Sequence, residues 1–149
     1  MSSSVSKSKI CFFFDKTNFR LEKRTELKSF IEILFKKEKK RLSSLNYIFC
    51  TDKRLLEINR QYLKHDDYTD IITFDLSTSD VTQGEIYISI DRVRENAKVL
   101  GLSFNSELHR VVFHGALHLC GYGDKTKAQL EEMRKKEDAY LSSYSKVST

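Results

Sequence analysis

The chain has no proline and no tryptophan, and only five glycines among its 149 residues. It therefore lacks the composition of a long flexible linker, and its length suits one domain that buries its own core. Long apolar runs are missing as well. Nothing approaches the roughly 20 consecutive apolar residues of a membrane span. The polar, serine-rich start, Met1 to Lys9, leads into an apolar stretch, Ile10 to Phe14, too short for the core of a signal peptide. A cytoplasmic protein with no membrane partner is expected. Cysteine is scarce: Cys11, Cys50 and Cys120 are odd in number, widely spaced and set in apolar stretches, and no CxxC pair exists. That pattern excludes a disulfide framework and predicts buried reduced thiols.

What is present is an ordinary globular mixture, 40% hydrophobic and 32% charged. The net charge of +5 favours a polyanionic partner, of which nucleic acid is the commonest. The densest basic run is Lys36-Lys37-Glu38-Lys39-Lys40-Arg41. It reads either as the solvated end of a helix, with cations near the negative pole of the dipole, or as an RNA-binding patch.

Periodicity gives the elements. Ile10 to Phe14 reads as a buried strand. Leu27, Phe30, Ile31, Leu34 and Phe35 follow the i, i+3, i+4, i+7, i+8 template, which predicts a helix from Thr25 to about Arg41. Leu45 to Cys50 is a second strand, and Thr51 or Asp52 caps a helix running to about Leu63. A polar loop, His65 to Asp70, follows. Ile72, Phe74 and Leu76 alternate, as do Ile86, Ile88 and Ile90, giving an antiparallel pair of strands. Asp91 is expected to cap a helix with Val93, Ala97 and Leu100 inward, ending at Gly101. Asn105 or Ser106 caps the next. Thr126 and Gln129 have capping-box spacing for a last helix, with Leu130, Met133, Tyr140, Leu141 and Tyr144 as its stripe and a frayed tail from Ser145. The order β-α-β-α-β-β-α-α-α predicts an α/β (α+β) fold. It consists of a small mixed four-stranded sheet with about five helices, and its metal site lies at the end of a late helix.

That site is the stretch His114-Gly115-Ala116-Leu117-His118-Leu119-Cys120-Gly121-Tyr122-Gly123-Asp124. Side chains at i and i+4 stack on one helical face, so both imidazoles can reach one ion. Gly121 suits the left-handed residue that ends a helix, after which the chain can bring Asp124 back. Two imidazoles and a carboxylate leave a fourth position for water, the pattern of a catalytic zinc site. Zinc fits the ligand types; nickel, cobalt and manganese remain alternatives. Asp124 also reads as a turn carboxylate ahead of Thr126. Cys120 lies off the histidine face. Zinc peptidases carry a glutamate directly after the first histidine, and here that position is Gly115. Arg110, one turn before His114, could hold a phosphate by a bidentate contact or pair with Glu107 at i−3. His109 and His65 have no partner at metal spacing and read as surface residues.

These residues carry a resemblance. His114 to Asp124 resembles the signature of the YbeY family of bacterial endoribonucleases that mature ribosomal RNA. Leu56-Glu57-Ile58-Asn59-Arg60-Gln61-Tyr62 through Asp66, then Thr69-Asp70-Ile71-Ile72-Thr73-Phe74, resembles a second family segment, and Gly84-Glu85-Ile86-Tyr87-Ile88 a third. The resemblance implies a mixed α/β fold, one bound zinc and cleavage of single-stranded RNA. It also implies roles at the 3′ end of small-subunit rRNA and in ribosome quality control, with the ribosome or its small subunit as partner. The metal ligands would be His114, His118 and Asp124, the last standing where the family usually has histidine. Leu63 occupies a position where the family often has arginine, and Arg110 one where many members carry a further histidine. The catalytic phosphate contact would then fall to Arg60 first and Arg110 second.

On this reading the ion lowers the pKa of a bound water and polarises a phosphoryl oxygen. Glu85 and Asp75 are candidate bases, and Tyr62, Tyr68 and Tyr122 candidate stacking rings. Two other readings stand beside it: a zinc hydrolase of peptides or small molecules, and a non-catalytic ribosome assembly factor with a structural metal.

Overall fold

A strand–helix–strand step sets the frame. β1 (Ile10–Phe14), α1 (Arg24–Lys37) and β2 (Leu42–Cys50) bring two strands side by side in parallel, as a helical crossover allows. The computed structural model describes residues 8–64 and 69–148. His65, Asp66 of the family-like segment and the candidate stacking ring Tyr68 lie outside the described residues. α2 (Asp52–Ile58) passes directly into a π-helical turn, Asn59–Leu63. β3 (Ile71–Asp75) and β4 (Thr82–Ser89) form the expected antiparallel pair. β4 lies parallel to β2, giving the mixed order β1-β2-β4-β3. α3 (Ile90–Leu100), α4 (Phe104–Leu119) and α5 (Lys127–Val147) complete the expected five helices.

Alternation along the strands divides the core in two. Ile10, Leu45, Tyr47, Phe49, Ile86 and Ile88 join α1, α4 and α5 in the large cluster. Cys50 and Ile72 face the other way, against Leu55 and Ile58 of α2. Buried Tyr47 ties sheet to helix, its hydroxyl donating to the Val112 carbonyl at 2.8 Å.

Several expectations shift, each for a local reason. β1 packs only the face that carries Ile10, Phe12 and Phe14 against the large cluster, so its burial alternates rather than being complete, and Cys11 on the other face is exposed. Only Cys50 and Cys120 are the expected buried thiols, both pushed up to about 12 by burial. α1 stops at Lys37, not Arg41. Lys39 takes a left-handed conformation (φ 59°), and the Lys39 and Lys40 amides bond back to the Lys36 and Phe35 carbonyls. This is a Schellman ending in which lysine stands where glycine is usual. The hydroxyls of Ser89 and Ser103, rather than Asp91 and Asn105 or Ser106, cap α3 and α4 by accepting the amide three residues on. The Asp91 carboxylate instead accepts the Asp52 amide. Thr51 caps α2 and the Thr126–Gln129 capping box is present. Leu100 and Leu130 are exposed, and α5 continues to Val147.

His109 is not a surface residue. Its ring stacks on Phe113 and meets Tyr144 edge-on, centroids 4.9 Å apart, and burial pushes its pKa down to about 4. The unfolded chain protonates this ring near 6.5. Between those values the unfolded state holds a proton that the folded state lacks, so stability is lost as pH falls through that window. Allowing for partial solvent access, this should amount to about 2 kcal/mol between pH 7 and pH 4.5. Urea midpoints across the range should show the loss, and His109→Phe should flatten that part of the profile.

Candidate metal centre

α4 is buried on nearly all sides, with Val111, Val112, Phe113, Ala116 and Leu117 inaccessible between the sheet and its neighbouring helices. Two glycines set how closely it lies on the sheet. A Cβ on Gly115 would stand 2.7 Å from Ile86 Cδ1 and 3.0 Å from Ile71 Cδ1; one on Gly84 would stand 2.7 Å from Leu119 Cδ1. The C-terminus of α4 is thereby pressed over the start of β4. The contact also explains the missing peptidase glutamate: position 115 faces the sheet, with no room for a side chain.

α4 ends as its sequence predicts. Gly121 adopts φ 110°, its amide bonds to the His118 carbonyl, and the Tyr122 amide bonds to Leu117, both at 3.1 Å. That is a Schellman motif, and it turns the chain back toward the helix. Asp124 Oδ2 arrives 3.3 Å from His114 Nε2. Two ligands at zinc bond lengths around a tetrahedral ion stand about 3.4 Å apart. The His114–Asp124 spacing thus fits two donors of one ion.

The other ring nitrogens are engaged. His114 Nδ1 lies 2.6 Å from Glu137 Oε2, and exposed His118 sets its Nδ1 3.0 Å from the Tyr122 carbonyl oxygen. Both partners only accept, so each Nδ1 donates, and in the neutral ring Nε2 is then the atom that carries the lone pair. A carboxylate or carbonyl behind an imidazole is the usual support of a metal-binding histidine. The expected triad is nevertheless incomplete: among the described residues no three His, Cys, Asp or Glu side chains are gathered to hold an ion. His114 and Asp124 pair with each other, while Tyr122 orients His118 separately.

Arg110 is drawn into carboxylates. Its Nη1 reaches Glu137 Oε1 at 3.0 Å and Asp138 Oδ1 at 3.1 Å, with Glu107 Oε1 3.8 Å from Nε. The Glu107 pairing weighed from the sequence is present. The stronger contacts come from α5, and they hold Glu137 against His114. Burial lowers the His114 pKa, but the Glu137 hydrogen bond and charge, with Asp124 and Asp70, more than reverse it and the net shift is upward. Asp70 and His114 line a groove of about 180 Å³ with Glu107, Arg110 and Glu137. Burial raises the Asp70 pKa.

Arg60 is exposed on the π-helical turn. Beside it Tyr62 is 61% exposed, edge-on to Phe74 at 6.0 Å. Tyr122 is tied by its hydroxyl to Glu38 at 2.7 Å. Of the candidate bases, Asp75 is held below its usual pKa by Ser77 hydrogen bonds, with His118 adding to the effect, which makes it a weak base. Glu85 stands 3.4 Å from the Tyr87 hydroxyl.

Two residues that position the site were missed from sequence. Glu137 interrupts the stripe Met133, Tyr140, Tyr144, and a carboxylate on a buried face was the available signal. Glu38, the one acid in the basic run, accepts from Tyr122, Tyr140 and Lys136.

The geometry defines a class: an α+β fold with a supported histidine–carboxylate pair and a second histidine at one end of its sheet. Comparison with known proteins gives the family. A family model described as "Endoribonuclease YbeY" matches residues 13–145. A relative from Cytophaga hutchinsonii named Endoribonuclease YbeY is 51% identical over 134 residues, 89% of this chain and 94% of that protein. One of the same name from Christiangramia forsetii is 44% identical over 126 residues, covering 85% and 88%. The solution structure of TM1509 from Thermotoga maritima matches with a TM-score of 0.65 and 32% identity, over 91% of this chain and 88% of that one. The chain belongs to the YbeY family.

Placing Glu at position 115 would force a carboxylate against Ile86 and Ile71. Gly115→Glu should cost at least about 3 kcal/mol, through overpacking and an unpaired buried charge. A denaturant midpoint close to that of the parent protein would contradict the packing described.

Proposed function

We propose that this protein is a metal-dependent endoribonuclease that cuts single-stranded RNA in the cytoplasm. Maturation of the small-subunit rRNA 3′ end is its task and the ribosome its partner. Its relatives carry the name endoribonuclease. The rRNA and ribosome roles rest on the resemblance of His114–Asp124 and its companion segments. The observation that carries the chemistry is the support of both imidazoles, Glu137 behind His114 and the Tyr122 carbonyl behind His118.

One zinc ion would be held by His114 Nε2, His118 Nε2 and Asp124. Bound there, it would supply Lewis acidity and lower the pKa of a water. The chain's own residues do the rest. Glu137 fixes the His114 tautomer and raises its basicity. Arg110 neutralises the second Glu137 oxygen and keeps that carboxylate in place, a positioning role rather than a phosphate contact. Arg60 contacts the phosphate, and the exposed Tyr62 ring offers a face on which a base stacks.

Neither alternative gains support. Gly115 has no space for a peptidase base, and exposed His118 suits an open site better than the closed shell of a structural metal.

A labelled single-stranded RNA incubated with purified protein should be cut internally. Chelation should stop the cleavage, added zinc should restore it, and His118→Ala should abolish both cleavage and metal content. Cleavage that survives chelator would refute the metal-dependent reading. Glu137→Gln should weaken zinc binding by about 10- to 100-fold, as loss of a supporting carboxylate typically does. A competition titration with a chromophoric chelator reads this without reference to activity.

A further inference from the structure

Among the described residues, a cluster of unpaired lysines borders the metal-site loop, which it meets through Glu38 and Tyr122. The turn between α1 and β2 forms one wall of a cavity of about 490 Å³ lined by Lys36, Lys39, Lys40, Arg41 and Lys9, with Glu32 as its one carboxylate. Glu32 is occupied by the Ser8 hydroxyl at 2.7 Å. Arg41 makes a loose, exposed pair with Asp80 at 3.6 Å. Lys9, Lys36, Lys39 and Lys40 have no side-chain partner among the described residues. The run's own acid does not neutralise them: Glu38 turns inward to Tyr122, Tyr140 and Lys136. That contact joins the basic turn to the loop between His118 and Asp124.

The geometry points to a binding subsite for the RNA backbone in this basic cavity, holding phosphates of the strand beyond the nucleotides at the metal centre. The proposal rests on the endoribonuclease reading and extends it by naming the surface the chain crosses. Unpaired ammonium groups in a wide, open cavity suit the flexible, evenly charged backbone of a single strand, which they bind with release of counterions. Lysine rather than arginine gives point charges without a fixed fork, so contact there would be indifferent to sequence.

Lys39 allows a clean test. Its left-handed backbone is one that glycine adopts without cost, so Lys39→Gly removes charge while leaving the turn relaxed. A Lys36→Gln, Lys39→Gly double variant is compared with Lys16→Gln, Lys98→Gln, which loses the same charge elsewhere. Thermal melting confirms that both fold. Binding of a labelled 20-nucleotide single strand is followed by anisotropy in chelator at several salt concentrations, and cleavage of long and very short RNAs is measured with zinc. At 0.1 M salt the first variant should lose about fivefold in affinity per phosphate contact, and its log–log salt slope should fall by about 0.7 for each. KM for long RNA should rise with kcat unchanged, and very short RNA should be cut as before. The control variant should match the parent protein.

Equal affinity and slope in the two variants overturns the subsite. In a parallel titration with labelled polyglutamate, a variant that keeps its RNA affinity but loses this polyanion also overturns the subsite and assigns the cavity to an acidic polypeptide. A parent protein that binds RNA but never cuts it overturns the activity reading and leaves the subsite standing or falling on the binding data.

Discussion

Everything at the site depends on how closely α4 lies on the sheet. Gly84 and Gly115 remove the two side chains that would hold helix and strands apart, and Ile86, Ile71 and Leu119 fill the space. The close fit fixes the helix in height and rotation. His114 is then aimed at α5 and His118 at solvent, while the Schellman turn at Gly121 returns Asp124 to His114. The small residue after the first histidine serves packing, and in doing so removes the position from which peptidase chemistry would be run.

Around this seat the charges are layered. Glu137 supports His114 and is itself held by Arg110, which Asp138 and Glu107 steady in turn. A buried carboxylate between an imidazole and a guanidinium has both oxygens occupied, which is how such a group avoids the cost of desolvation. On the opposite side Glu38 plays a similar part for the loop, through hydroxyls rather than rings. One acid stands just past the end of α1 and the other in α5, so the site needs the whole fold assembled before it is rigid.

The sequence made most of this readable where a local rule operates. Apolar periodicity located every strand and helix, because burial of one face is imposed residue by residue. The His114–His118 spacing, the glycine ending and the Thr126 capping box were legible for the same reason. Helix starts were read two or three residues late at Ser89 and Ser103, since aspartate, asparagine and serine compete for the cap and only geometry selects among them. His109 and Cys11 were misplaced because exposure depends on which neighbours arrive: Tyr144 covers the histidine, and among the described residues the second core cluster does not reach the face of β1 that carries Cys11. The three-donor metal cluster expected from the spacing is only partly gathered. The placement of Glu137, Glu38 and Arg110 depends on contacts between helices far apart in the chain, which no local pattern encodes.

The separation of Glu137 from the motif has one more consequence. A designer who moved the segment from His114 to Asp124 onto another helical scaffold would carry the proposed donors and leave out the carboxylate behind His114. The borrowed ring at the first position could then swing between tautomers, and the graft would hold ions loosely while matching the signature letter for letter. Recognising the motif in a distant sequence therefore says less than finding, on some later helix, an acid buried where a hydrophobic residue ought to be.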